Sequence, residues 1–121
     1  MTLKELVRAS ICGEMEDISA CGTDSEAFSG KPGWDKVAGF YDKLAEEKRA
    51  RLLELGKIFK EGTGFRQRRI EPARSPEASL RARVMRAGEA ADIYASLMKV
   101  MNKPEFKAAM RGLAEREREI F

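Results

Sequence analysis

The chain has 121 residues, no histidine, and 23 basic against 20 acidic side chains. That length suits one domain spanning residues 1–121, and a chain of this size buries roughly two-thirds of its unfolded surface. With 43% apolar and 36% charged residues it is too apolar for disorder and too charged for a membrane protein, and the missing imidazole excludes Ser-His-Asp and Cys-His catalysis, histidine zinc sites and an imidazole pH switch. In chain order, Thr2 and Glu5 form a Thr-x-x-Glu capping box ahead of Leu3, Leu6 and Val7, which opens a first helix. That helix is expected to reach about Cys21 and stop at Gly22. Thr23 to Gly33 reads as a loop, with Thr23 and Glu26 set to cap one turn inside it. A second helix runs from about Trp34 to Glu61 and ends at Gly62 and Gly64. A crossover of about a dozen residues without apolar periodicity follows. Ser75 as N-cap, Pro76 and Glu77 open a third helix to about Met101. Pro104 ends that stretch and starts a fourth. No segment alternates as a strand does. The expected fold class is all-α: an antiparallel four-helix bundle with one longer crossover between the second and third helices.

No run of about 18 apolar residues marks a membrane span. Met1 to Ser10 lacks the apolar stretch and cleavage site of a leader, so a cytoplasmic location and no membrane partner are expected. Cys12 and Cys21, if one helix carries both, stand roughly 13 Å apart, too far for a disulfide. They are expected as reduced thiols with Cys12 partly packed. The basic and acidic residues are interspersed, which describes a solvated surface and not a nucleic-acid platform. Phe65-Arg66-Gln67-Arg68-Arg69, with Arg74, reads as a solvated loop or a subunit contact. As a nucleic-acid contact it would act through phosphates, and nucleic acid is not an expected partner. Met85, Met98, Met101 and Met110 fall at helical spacing and read as core filler.

Two strings recur in order. Gly13-Glu14-Met15-Glu16-Asp17-Ile18 is echoed by Gly88-Glu89-Ala90-Ala91-Asp92-Ile93, and Leu44-Ala45-Glu46-Glu47-Lys48-Arg49 by Leu113-Ala114-Glu115-Arg116-Glu117-Arg118. The 3.6-residue period also carries charges onto the apolar stripes. The second-helix stripe is Val37, Tyr41, Leu44, Lys48, Arg51, Leu55 and Ile58. The fourth-helix stripe is Phe106, Met110, Leu113, Glu117 and Ile120. On the first helix Leu3, Val7 and Ser10 lead to Glu14 and Ile18. On the third, Met85 leads to Glu89, Ile93, Leu97 and Val100, with Asp92 alongside. Charges turned inward are costly unless they pair with each other or with a metal. Glu14, Glu89, Asp92 and Glu117 facing Lys48 and Arg51 therefore read either as an internal ion-pair network or as a carboxylate metal site with cations behind it.

These strings resemble the ferritin-like superfamily, and within it the rubrerythrin-related branch, over nearly the whole chain. That family holds a di-iron site with one Glu from each of two helices and a Glu-x-x-His from each of the other two. Gly13-Glu14 and Gly88-Glu89 match its Gly-Glu ligand pairs, and Asp92 falls where an additional acid one turn later stands. In the Leu-Ala-x-x-Glu-x-x-His pattern, Lys48 replaces the ligand Glu and Arg51 the His of the second helix. On the fourth, Glu117 remains and Ile120 replaces the His. The resemblance thus implies a bundle whose di-iron site is lost to a salt-bridge network of Glu14, Lys48, Arg51, Glu89 and Glu117. It implies no resident cofactor, a structural or interaction role, and a homodimer or higher homo-oligomer that covers apolar surface. The alternative is a metal-dependent oxidoreductase or iron-handling protein using Glu14, Glu89, Asp92 and Glu117 around a divalent ion, iron or manganese.

Overall fold

The computed structural model describes residues 1–120. It contains α1 (Leu3–Phe28), α2 (Asp35–Phe59), α3 (Pro76–Val100) and α4 (Pro104–Ile120). Among the described residues there is no strand. The all-α class with four helices and a long α2–α3 crossover is therefore the one observed, as a four-helix bundle requires. Among the described residues no helix is long and apolar enough to cross a membrane.

The punctuation acts where it was expected at three of the four starts. Thr2 Oγ1 accepts the Glu5 N–H at 3.2 Å, and Ser75 Oγ accepts the Ala78 N–H at 3.1 Å, each satisfying an otherwise orphaned helix donor. Pro104 is the first residue of α4. The ends differ more. α2 stops at Phe59, where Lys60 takes a left-handed conformation with φ 55°, just short of the glycines that were expected to end it.

The larger correction is α1, which runs past Gly22 to Phe28. A mid-helix glycine costs about 1 kcal/mol relative to alanine, less than what the extra turns bury. Asp24, Ser25 and Phe28 are all buried. The Ser25 hydroxyl donates to Asp42 of α2, and the Phe28 ring meets Trp34 edge-on at 5.0 Å between centroids. The link to α2 then shrinks to a short turn in which Gly30 (φ 79°) and Gly33 (φ 82°) occupy the left-handed region, favoured by residues without a Cβ.

The chain forms two units. One comprises the residues up to Gly13 together with those from Arg83 onward. Its core is apolar: Leu6, Val7 and Ile11 of α1, Ala87, Ala90, Ala91, Tyr94 and Leu97 of α3, Met110 and Ala114 of α4. Here the expected α3 stripe is corrected. Met85 is 70% exposed and Val100 46%. The buried face instead follows the alanines at 87, 90 and 91 to Tyr94 and Leu97, a helical period set by small residues. A face of alanines lets a neighbouring backbone come close, so a reading weighted toward large side chains selects the wrong side.

The other unit spans Glu14–Ala82. Its apolar core is Ile18, Ala20, Cys21 and Phe28 of α1 with Ala38, Tyr41, Leu44, Ala45, Leu52 and Leu55 of α2. The expected α2 stripe is largely the observed one, with Val37 and Ile58 at its half-buried margins. Cys21 is buried and Cys12, in the first unit, is exposed, so it is Cys21 and not Cys12 that is packed.

Candidate functional site

Glu14 and Asp17 stand one turn apart on α1, as do Lys48 and Arg51 on α2. The i,i+3 spacing keeps each pair on one face of its helix, so two acids on one helix meet two cations on the other. Glu14 is 0% exposed, Asp17 and Lys48 3%, and Arg51 5%. The Lys48 ammonium donates to Glu14 Oε2 at 3.3 Å and to Asp17 Oδ2 at 3.0 Å. The Arg51 guanidinium donates through Nη1 to Glu14 Oε1 at 3.0 Å and through Nη2 to Glu47 Oε2 at 3.2 Å. Both oxygens of Glu14 are thus taken by cations. The four buried charges cancel, and half-exposed Glu47 ties the outer side of Arg51 to the surface.

This arrangement satisfies the conditions under which charges survive burial. Each ion has an opposite partner at hydrogen-bonding distance, as buried charges require. Such a network adds little net stability over an apolar core of the same volume, but removing one member strands the rest. It favours one pairing of α1 with α2, because sliding either helix by a turn would leave at least one buried charge without its partner.

Of the expected site residues, Glu14, Lys48 and Arg51 come together. Asp17 completes the group, although the sequence reading singled out only its counterpart Asp92. The repeat aligns Asp17 with Asp92, so the signal was present. Glu89 and Asp92 are corrected from inward to outward residues: both are exposed. The Glu89 side chain is 65% exposed, 3.4 Å from the Arg86 guanidinium one turn earlier. That guanidinium lies against Gly13. Glu117 is buried as expected, at 2% exposure. It borders a hollow of about 240 Å³ in its own unit with Val84, Ala87, Gly88 and Arg118.

A second polar cluster was not expected, because its central acid, Asp24, lies in residues taken for a loop. Asp24 accepts the Ala73 N–H at 2.9 Å and the Ser79 hydroxyl. The Tyr41 hydroxyl pairs with Ser79 at 2.7 Å. With the Ser79 proton given to Asp24, the Tyr41 O–H donates to Ser79, so the polar atoms form one directed chain.

The donor set does not suit a divalent metal. Protonated Lys48 and Arg51 repel a cation and occupy both oxygens of Glu14. Among the described residues no three His, Cys, Asp or Glu side chains gather closely enough to hold a metal ion. Comparison with protein-family models, curated proteins and solved structures finds no match.

Proposed function

We propose that this is a ferritin-like, rubrerythrin-related protein in which a salt-bridge network has taken the place of the di-iron site. Its role in this reading is structural or interaction-based, exercised in the cytoplasm as a homodimer or higher homo-oligomer. One observation carries it. Lys48 and Arg51 occupy the two α2 positions where the resemblance calls for a ligand Glu and a ligand His, and both are buried against Glu14. A cation at each ligand position neutralises the remaining carboxylates without a metal. The oligomeric part is supported by the exposure of the adjacent Val84 (49%) and Met85 (70%) on one turn of α3, apolar surface that association would cover. The carboxylate-only metal site lacks comparable support, since Glu89 and Asp92 sit on exposed surface.

The test is elemental analysis of protein purified without chelator, followed by titration with Fe²⁺ under air. The expected result is metal far below one ion per chain and no saturable iron oxidation. Near-stoichiometric iron or manganese would overturn the reading. Sedimentation analysis, with Met85→Lys as the disrupting variant, tests the oligomer.

A further inference from the structure

The crossover between α2 and α3 has a charge unlike the rest of the chain. Lys60 to Arg74 contains five cations, Lys60, Arg66, Arg68, Arg69 and Arg74, against two acids, Glu61 and Glu71. That excess equals the net charge of the whole chain, +3, so interspersed signs describe the helices and not this segment. Four of the five cations are arginines, whose planar guanidinium matches phosphate oxygens in a two-pronged contact. Arg66, Arg68, Arg69 and Arg74 are exposed, and none makes an ion pair among the described residues.

The segment has no helix or strand, yet its backbone is tied down. The Arg68 N–H donates to Ser19 Oγ at 3.0 Å. The Gln67 amide donates to the Ser19 carbonyl at 3.0 Å, and Asp24 holds the Ala73 N–H. At its beginning, Thr63 folds back so closely on Gly56 that a Cβ there would stand 2.9 Å from the threonine hydroxyl. These contacts run to α1 and α2, while the four arginines are exposed. Next to them the Arg49 guanidinium lies over the half-exposed Phe65 ring, 5.3 Å from its centroid. Arginines on an anchored backbone beside a cation-backed aromatic ring suit a single strand: charges along its phosphates and a flat surface for a base.

We propose that the crossover is a docking surface for single-stranded nucleic acid, with Arg66, Arg68, Arg69 and Arg74 on the phosphates and Phe65, backed by Arg49, stacking a base. Recognition is by backbone and stacking and carries little base preference. The anchoring by Ser19 and Asp24 pre-orders the strap, so binding does not have to order it. The inference is independent of the ion-pair network and survives or fails without it.

The test is anisotropy of a labelled oligouridine of about twelve nucleotides titrated with the full chain across about 50 to 200 mM salt. Four phosphate contacts to a single strand give a log–log salt slope of about −3. Arg66→Gln with Arg68→Gln and Arg69→Gln should weaken binding at least tenfold and flatten the slope toward about −1. Gln67→Ala keeps every charge and loosens the strap, so affinity should fall severalfold at an unchanged slope. Arg111→Gln with Arg118→Gln on α4 removes two charges elsewhere and should leave affinity within twofold. Circular dichroism confirms that each variant is folded. The proposal is overturned by absence of binding at low salt, or by equal losses from the α4 and crossover variants. It is also overturned by an unaffected Gln67→Ala, or by tighter binding to phosphatidylserine vesicles than to the oligouridine.

Discussion

The strings Gly13-Glu14-Met15-Glu16-Asp17-Ile18 and Gly88-Glu89-Ala90-Ala91-Asp92-Ile93 share four residues in register, and their acids have opposite fates. Glu14 and Asp17 are buried and held by Lys48 and Arg51. Glu89 and Asp92 are exposed, and Glu89 meets the Arg86 guanidinium one turn earlier on its own helix. The difference lies in what else each helix offers. At 90 and 91 the second string has alanines where the first has Met15 and Glu16, and it is those alanines that turn inward. In the first, no such small pair competes, and α2 presents two cations one turn apart. A carboxylate goes inside when a partner is waiting and an apolar alternative is not. The same contrast runs through the two units. Buried polar and charged residues among those described are Ser10 and Glu117 in the unit from the N-terminus and α3–α4, against Glu14, Asp17, Ser19, Asp24, Ser25, Lys48, Arg51 and Ser79 in the other.

That contrast can be broken experimentally. The largest expected effect is Glu14→Ala, which strands Lys48 and Arg51 in the interior and costs about 3 kcal/mol or more in urea unfolding. Glu89→Ala, its counterpart, should stay within about 0.5 kcal/mol of the parent. Equal losses at the two positions would abolish the distinction. Replacing the network as a whole, Glu14→Leu and Asp17→Leu with Lys48→Met and Arg51→Met, should leave stability unchanged or raise it by about 1–4 kcal/mol. A loss larger than the single substitution's would mean that the charges stabilise by more than mutual neutralisation. Ser79→Ala breaks the chain from Tyr41 to Asp24 and should cost about 1–2 kcal/mol by leaving buried polar atoms short of a partner, read as a shift in denaturation midpoint at unchanged slope. A smaller gain is expected at the end of α2. Lys60→Gly relieves a left-handed non-glycine residue and should add about 0.5–1 kcal/mol.

The helices were legible because their signals are local. A capping threonine, Ser75-Pro76-Glu77 and Pro104 act within one turn of chain, and they sit at or beside three observed helix starts. The α2 face was legible because its apolar positions are large and strictly periodic, so that Lys48 and Arg51 stood out as charges in a stripe. The α3 face was not, since Met85 and Val100 outweigh alanines in hydrophobicity while alanines win in closeness of packing. The extension of α1 past Gly22 was hidden for a related reason: one glycine is a local cost, and the gain that offsets it comes from Asp42, Trp34 and Ser79, up to 55 residues away in the chain.

By itself, then, the sequence determined the number and order of helices, the absence of imidazole chemistry, and the presence of two cations on a buried face. Which carboxylates those cations would meet was a tertiary decision. Glu14 and Glu89, and likewise Asp17 and Asp92, are alike in type and in spacing, and the residues between them do not by themselves say which pair finds a cation. Burying a charge costs several kcal/mol that only a partner from another helix can return, and that partner is chosen by how α1 and α2 lie together, not by the residues beside it in the chain.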